Sequence, residues 1–153
     1  MKKFSFRLEK LLDIRKAQER EIQHELAHEV AKENVLIRKQ TSLRENVARQ
    51  QAIFHDEMKN HRDTVSVLQS LHRYMSYADS VIADSQRKID SMQPKINEIR
   101  ARLADAVKER RKIEKLKERK LEEWKYMVKR EEEKELDEMN MKIFNARHKE
   151  EYL

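Results

Sequence analysis

The chain is predicted to be all-α, folded as a long antiparallel two-helix coiled-coil hairpin. Three observations predict this. First, the 153 residues include no glycine and one proline, Pro94, whereas globular domains average about 7% and 5% because turns use them. Second, 42% of the residues are charged and 38% hydrophobic, the Ala, Glu, Lys, Leu and Arg mixture of coiled coils. Third, apolar residues recur at alternating spacings of three and four in both halves of the chain, the pattern of a seam between helices. A single helix of this length would run about 230 Å and a hairpin about half that. Neither encloses a globular core, so stability must come from a narrow seam. Disorder is the competing reading for so charged a chain, and the sustained periodicity argues against it.

The expected layout is one coiled-coil domain, 1–153. Helix one covers about 5–62, a turn about 62–66, and helix two about 67–150, with an overhang beyond about 125. Helix one starts near Ser5, a possible N-cap. Its seam reads Leu8, Leu12, Ile22, Leu26, Val30, Ile37, Leu43, Val47 and Phe54. Gaps at Arg15, Glu19 and Glu33 read as stutters, where the repeat slips toward eleven. The turn is placed in the polar run Asn60-His61-Arg62-Asp63-Thr64. Ser66-Val67-Leu68-Gln69 then reads as a capping box that starts helix two.

The seam of helix two is the clearer one: Ile82, Ile89, Met92, Ile96, Ile99 and Leu103, continued by Ala78, Ala106 and Ile113. Pro94 falls between seam positions without changing their phase. It therefore reads as a local kink costing about 3 kcal/mol, and the turn lies elsewhere. Folding the chain about the proposed turn sets Phe54 against Met75, Val47 against Ile82, Ile37 against Met92 and Val30 against Ile99. It also sets Leu26 against Leu103, Ile22 against Val107 and Leu8 against Leu121. A register shifted by one heptad keeps some of these pairs.

That folding leaves the overhang without a partner from its own chain. Its apolar residues are Met127, Val128, Leu136, Met139, Ile143, Phe144, Tyr152 and Leu153. Two outcomes are open: packing on something else, or fraying into disorder. The working end then holds Phe4, Phe6, Leu8, Leu11 and Leu12 with the stretch from Trp124 to Phe144. Trp124, the single tryptophan, reads as packing and is compatible with a docking role. Tyr74 and Tyr77, flanking Met75, either form a contact surface or cover the tip of the hairpin.

Two motifs invite chemistry. His24-Glu25-Leu26-Ala27-His28 matches H-E-x-x-H, in which two imidazoles one turn apart share a zinc and the glutamate activates its water. Here Leu26 is a seam residue, no third ligand stands out, and two helices offer no dry cavity. The motif reads as coincidence. Lys108 to Lys120 carries eight basic and three acidic residues. It reads either as an anion-binding patch or as the solvated face of a coiled coil. No aromatic residues interleave with the charges, as single-strand nucleic-acid binders require. The acidic Glu131–Glu138 run follows, so the surface alternates in sign and suits a protein partner better. Without glycine there is no phosphate-cradling loop. The expectation is a non-enzyme with no catalytic residue, cofactor, metal or nucleic-acid partner.

Cysteine is absent, so there are no disulfides, and the chain fits a reducing compartment. No run of 18 apolar residues exists, so no membrane insertion is expected. The start, Met1-Lys2-Lys3-Phe4, lacks the apolar stretch of a signal peptide. The reading is a cytoplasmic protein. The net charge of +6 permits acidic partners without demanding them.

The opening Phe4-Ser5-Phe6-Arg7-Leu8-Glu9-Lys10-Leu11-Leu12-Asp13-Ile14-Arg15-Lys16 closely resembles that of FliJ-family proteins of the bacterial flagellar export apparatus. Tyr74-Met75-Ser76-Tyr77, Lys117-Glu118-Arg119-Lys120 and Leu136-Asp137-Glu138 also resemble that family, and the resemblance spans nearly the whole chain. It implies an antiparallel coiled coil similar to the central stalk of rotary ATP synthases. It implies insertion of the end carrying both termini into the hexameric flagellar export ATPase. It also implies contact with the membrane-embedded export gate and with export chaperones, by a monomeric hairpin at the inner face of the cytoplasmic membrane. On this chain the ATPase contacts would be Phe4, Phe6, Arg7, Leu8, Leu11, Leu12, Arg15, Lys117, Lys120, Trp124 and Val128. The gate contacts would be Tyr74, Tyr77 and Val81. The alternative function is a general coiled-coil chaperone or adaptor for secreted flagellar proteins.

Overall fold

The computed structural model describes residues 3–60 and 64–152. It is an all-α hairpin of two long helices packed against each other, α1 (Glu9–Lys59) and α2 (Thr64–Glu151). α1 lies inside its expected span, and α2 begins a few residues before its expected start and ends where expected. α1 starts at Glu9, so Ser5 does not cap it. α2 starts at Thr64, which places Ser66 inside the helix, and the expected capping box is not its beginning. The Asn60 N–H donates to the Glu57 carbonyl at 3.1 Å, tightening the last turn of α1. The expected turn residues His61, Arg62 and Asp63 lie outside the described residues. Pro94 sits inside α2 at an exposed position, and the helix continues through it.

The chain forms two compact units, each containing a stretch of both helices. One holds the chain up to Gln18 and from Ala106 onward; the other holds Glu19–Asp105. In the Glu19–Asp105 unit the core is a single line of side chains. Ala78, Ile89, Ile96 and Ile99 are buried on α2, at the periodicity of one helix face. The partner line on α1 differs from the expected one. Glu19, Glu29 and Gln40 are themselves buried, and Glu33 is half-buried. Along α1 the inward positions run Leu8, Leu12, Arg15, Glu19, Ile22, Leu26, Glu29, Glu33, Leu36, Gln40, Leu43 and Val47. The spacing of three and four never breaks, so the expected stutters are absent. Polar residues occupy seam positions, and the long side chains of Glu29, Glu33 and Gln40 meet partners on the other helix. Ile37 is 40% exposed, and Leu36 holds the position assigned to it.

Those polar side chains also fix the register. Gln40 Nε2 donates to the Ile82 carbonyl and to Gln86 Oε1, both at 3.2 Å. Gln93 Nε2 donates to Glu33 Oε1 at 2.9 Å. Arg102 grips both oxygens of Glu25 at 3.1 and 3.2 Å. Gln51 reaches Met75 Sδ at 3.7 Å. These contacts shift the pairing about one helical turn from the register expected from the sequence. They bring Val47 level with Ala78 instead of Ile82, and Leu26 level with Ile99 instead of Leu103. The expected pairs of Phe54 with Met75 and Val30 with Ile99 shift in the same way. Ser85, small and 2% exposed, lies level with Gln40 and leaves room for its amide.

Glu29 is the most committed charge in the seam. Its Oε1 accepts from Lys95 Nζ at 3.1 Å across the pair and from Lys32 Nζ at 3.3 Å along α1. The Lys95 hydrogen bond is the main influence holding its carboxyl below the usual value. Burial opposes it, and Lys32 adds to the lowering. A depressed folded-state value means this stabilisation is complete above the ordinary carboxylate value of 4.5 and is lost as the pH falls through the folded value. Glu29→Gln should therefore flatten the acid side of the stability curve. Thermal melts from neutral pH to below 4.5 should show the wild type losing more stability than the variant; parallel curves would contradict this assignment.

Candidate functional site

In the unit that contains both chain ends, the N-terminal segment leaves helical geometry to lie along α2. Residues 3–6 are irregular and 7–8 form a turn. The Glu9 N–H donates to the Phe6 carbonyl at 3.2 Å, and the Leu12 N–H to the Leu8 carbonyl at 2.9 Å. Glu9 is tied to Lys117 Nζ at 2.8 Å, which sets where the segment begins. From Lys117, Trp124 lies about 10 Å further along α2 at 1.5 Å per residue. Counted back from Glu9, a helical Phe4 would cover only about 7.5 Å. An unwound segment can span up to about 16 Å. Unwinding thus lets Phe4 reach Trp124, where the ring centroids are 5.9 Å apart at an interplanar angle of 58°, a tilted geometry that aromatic pairs favour.

The result is an open groove of about 500 Å³ lined by Phe4, Ser5, Phe6, Arg7, Leu8, Leu116, Lys120, Glu123, Trp124 and Met127. Its floor is aromatic and aliphatic, and its rim carries Arg7, Lys120 and Glu123. Lys120 pairs with Glu123 at 3.1 Å, leaving the rim with an excess of positive charge. Chemically this is a socket for an apolar side chain with a charged collar.

Of the residues expected to contact the ATPase, the groove gathers Phe4, Phe6, Arg7, Leu8, Lys120 and Trp124. The others lie elsewhere. Leu12 is 1% exposed and belongs to the core. Leu11 faces outward at 36% exposure, and Val128 is half-buried. Lys117 is held by Glu9. Arg15 sits in the seam with its Nε buried and unpartnered, while its Nη1 donates weakly to Gln18 Oε1 at 3.4 Å. Its charge also contributes to a lowered pKa at Glu109, after the larger influence of Lys112. Of the other lining residues, Met127 is expected in the overhang and not as an individual contact, and the sequence does not single out Leu116 or Glu123. Leu116 and Met127 each stand beside a chosen position, because the groove is built from the flank of α2 and not from its seam.

The residues expected at the gate share one face of α2, at spacings of three and four, and differ in exposure. Tyr74 is half-buried and lines a groove of about 720 Å³ with Ile53, Phe54 and Leu71 near the end of α1. Tyr77 is 62% exposed, and Val81 is half-buried. In the H-E-x-x-H segment Glu25 is engaged by Arg102, and among the described residues no three His, Cys, Asp or Glu side chains gather to hold a metal. In the basic stretch Arg110, Lys112, Lys117 and Lys120 are held in ion pairs with Glu114, Glu109, Glu9 and Glu123, as on a solvated coiled-coil face. Among the described residues no helix is long and apolar enough to cross a membrane.

From residue 129 to 152 every described residue is exposed although α2 continues to Glu151. The overhang is thus helical. Phe144 stacks on His148 at 5.2 Å, and His148 meets the edge of Tyr152 at 5.7 Å.

Two paired helices, a small apolar socket and a bare helical end define a coiled-coil interaction protein. The family model described as Flagellar FliJ protein matches residues 4–149. The chain belongs to that non-catalytic flagellar family, and its role is related to flagellar protein export. No curated protein and no solved structure matches the chain.

Trp124 reports on the socket directly because it is the only tryptophan. Phe4→Ala should shift its fluorescence emission to the red and leave helical circular dichroism unchanged, since Phe4 lies outside both helices. An unshifted emission would mean that the Phe4 ring does not cover Trp124.

Proposed function

We propose that the protein serves as a stalk for the hexameric flagellar export ATPase. The end that carries Phe4 and Trp124 enters the ring, promotes its assembly and activity, and couples it to the export gate and to export chaperones. Membership in the FliJ family supports the export setting, and the socket of Phe4, Phe6, Leu8, Leu116, Trp124 and Met127 carries the reading. An apolar socket with a charged collar accepts a single anchoring side chain while its rim contacts remain exchangeable. A two-helix protein in a six-membered ring faces a symmetry mismatch, so exchangeable contacts are what such a site requires. Lys117, Leu11, Leu12, Arg15 and Val128 would support or extend the same surface. Tyr77, the most exposed of the gate candidates, would be the main contact there, with Tyr74 and Val81 beside it. The working location is the cytoplasmic face of the membrane at the flagellar base.

A second reading is a general coiled-coil chaperone or adaptor for secreted flagellar proteins. The exposed apolar residues Leu136, Met139, Ile143 and Phe144 favour it. Adding the purified protein to the cognate export ATPase separates the two. The stalk reading expects faster ATP hydrolysis. It also expects about a thirtyfold higher concentration requirement for Trp124→Ala, the loss typical of a buried aromatic anchor worth about 2 kcal/mol. Absence of both binding and stimulation at low salt contradicts the stalk, and binding to unfolded export substrates without the ATPase supports the adaptor.

A further inference from the structure

We propose that the exposed end of α2 is a self-association surface through which two copies of the chain pair residues 129–152 antiparallel. Leu136, Met139 and Ile143 are 59%, 58% and 48% exposed, and Ala146 continues their spacing of three and four. At 3.6 residues per turn this stripe is centred about 60° around the helix from the face that Trp124 and Val128 turn inward. It therefore adjoins a face that is already an interface nearer the socket. The aromatic row of Phe144, His148 and Tyr152 lies on the opposite side of the helix. His148 also pairs there with Glu151 at 3.7 Å.

The charges name the occupant. Residues 131–138 hold six acidic side chains and one basic, whereas 142–149 hold Lys142, Arg147 and Lys149 and no carboxylate. A helix that is acidic in its first half and basic in its second is complementary to itself only when the two copies run in opposite directions. With Leu136 and Met139 as a and d positions, an antiparallel pair sets Leu136 against Ala146 and Met139 against Ile143 of the second copy, each twice. The flanking positions then place Glu133 against Arg147 and Glu135 against Lys149 of the second copy, again twice. A parallel pair would set Lys142 against Arg147 and align the two acidic runs. Glu132 and Glu150 close the apolar stretch, and Lys142 meets its own copy near the two-fold axis. Both features oppose pairing, so the association is weak and reversible.

Within one chain Glu133 and Arg147 are about 21 Å apart along the helix, too far to meet. Each has other charges within a turn on its own helix, but rescue of one substitution by the other can come only from a contact between copies. The test is sedimentation equilibrium of the full chain without any partner, from roughly micromolar to millimolar concentration. The expected result is a dimer whose population grows with concentration and falls with salt. Glu133→Lys should weaken it about tenfold, as two attractive pairs become repulsive. Combining Glu133→Lys with Arg147→Glu should restore it. Circular dichroism confirms that each variant keeps its helices. A monomer over the whole range overturns the proposal and leaves the stripe to a different kind of partner. A dimer indifferent to Glu133→Lys, or one that the charge swap fails to restore, also overturns it. Because the ATPase is absent from the experiment, its outcome is independent of the stalk reading.

Discussion

Everything in this structure depends on one line of contact between two helices. No sheet or third helix adds a second layer among the described residues, so burial is confined to positions three and four apart. Such a seam specifies that helices pair more firmly than it specifies how. A slip along the pair still sets apolar residues against apolar residues, and sliding costs little hydrophobic energy. The register is set instead by side chains that cannot slip without losing a partner. Gln40 bonds to the Ile82 carbonyl and to Gln86, and Glu29 bonds to Lys95. A buried amide such as that of Gln40 costs about 1–3 kcal/mol when its bonds are lost. In a seam with five buried hydrophobic residues, that is enough to select one alignment.

The same economy of contacts explains the end that carries Phe4 and Trp124. α1 begins at Glu9, and the residues before it unwind so that Phe4 can cover Trp124. A helical start would have left Phe4 short of that ring and the flank of α2 bare. The socket is therefore a consequence of where α1 begins, held by the Glu9–Lys117 ion pair and the Phe4–Trp124 contact. Beyond residue 128, α2 has no α1 to cover it. The chain thus offers two surfaces of different chemistry: a compact aromatic socket and a long dipolar helix.

The absence of glycine and the alternating spacing made the all-α class legible, and the regular run of Ile89, Ile96 and Ile99 located the α2 seam. Phe4 and Trp124 were both legible as residues of one end of the hairpin, where they meet, and the Phe4–Lys16 motif carried the family. What stayed hidden was the polar part of the seam. Glu19, Glu29 and Gln40 look like interruptions to any count of apolar residues, because only the structure shows that their polar ends have partners. With Arg15, Glu19 and Glu33 read as gaps and Glu29 and Gln40 left out of the seam, the expected pairing falls a turn away, and Ile37 stands in place of Leu36. The start of α2 was missed for a related reason. Ser66 and Gln69 have the right chemistry for a cap, but the helix already begins at Thr64. Leu116 is not singled out by the sequence, and Met127 reads there as part of the overhang, because both lie off the seam, on a flank that becomes a lining only once the N-terminal segment crosses it.

The central claim is the register, and the absence of cysteine makes it directly measurable. Two double variants distinguish the alignments: Val47→Cys with Ala78→Cys, and Val47→Cys with Ile82→Cys. A disulfide forms readily only when the two Cα atoms are within about 7 Å, and one helical turn is about 5.4 Å. The account predicts rapid, near-complete intramolecular cross-linking of the first pair under mild oxidation and little of the second. Preferential cross-linking of Val47→Cys with Ile82→Cys would contradict it.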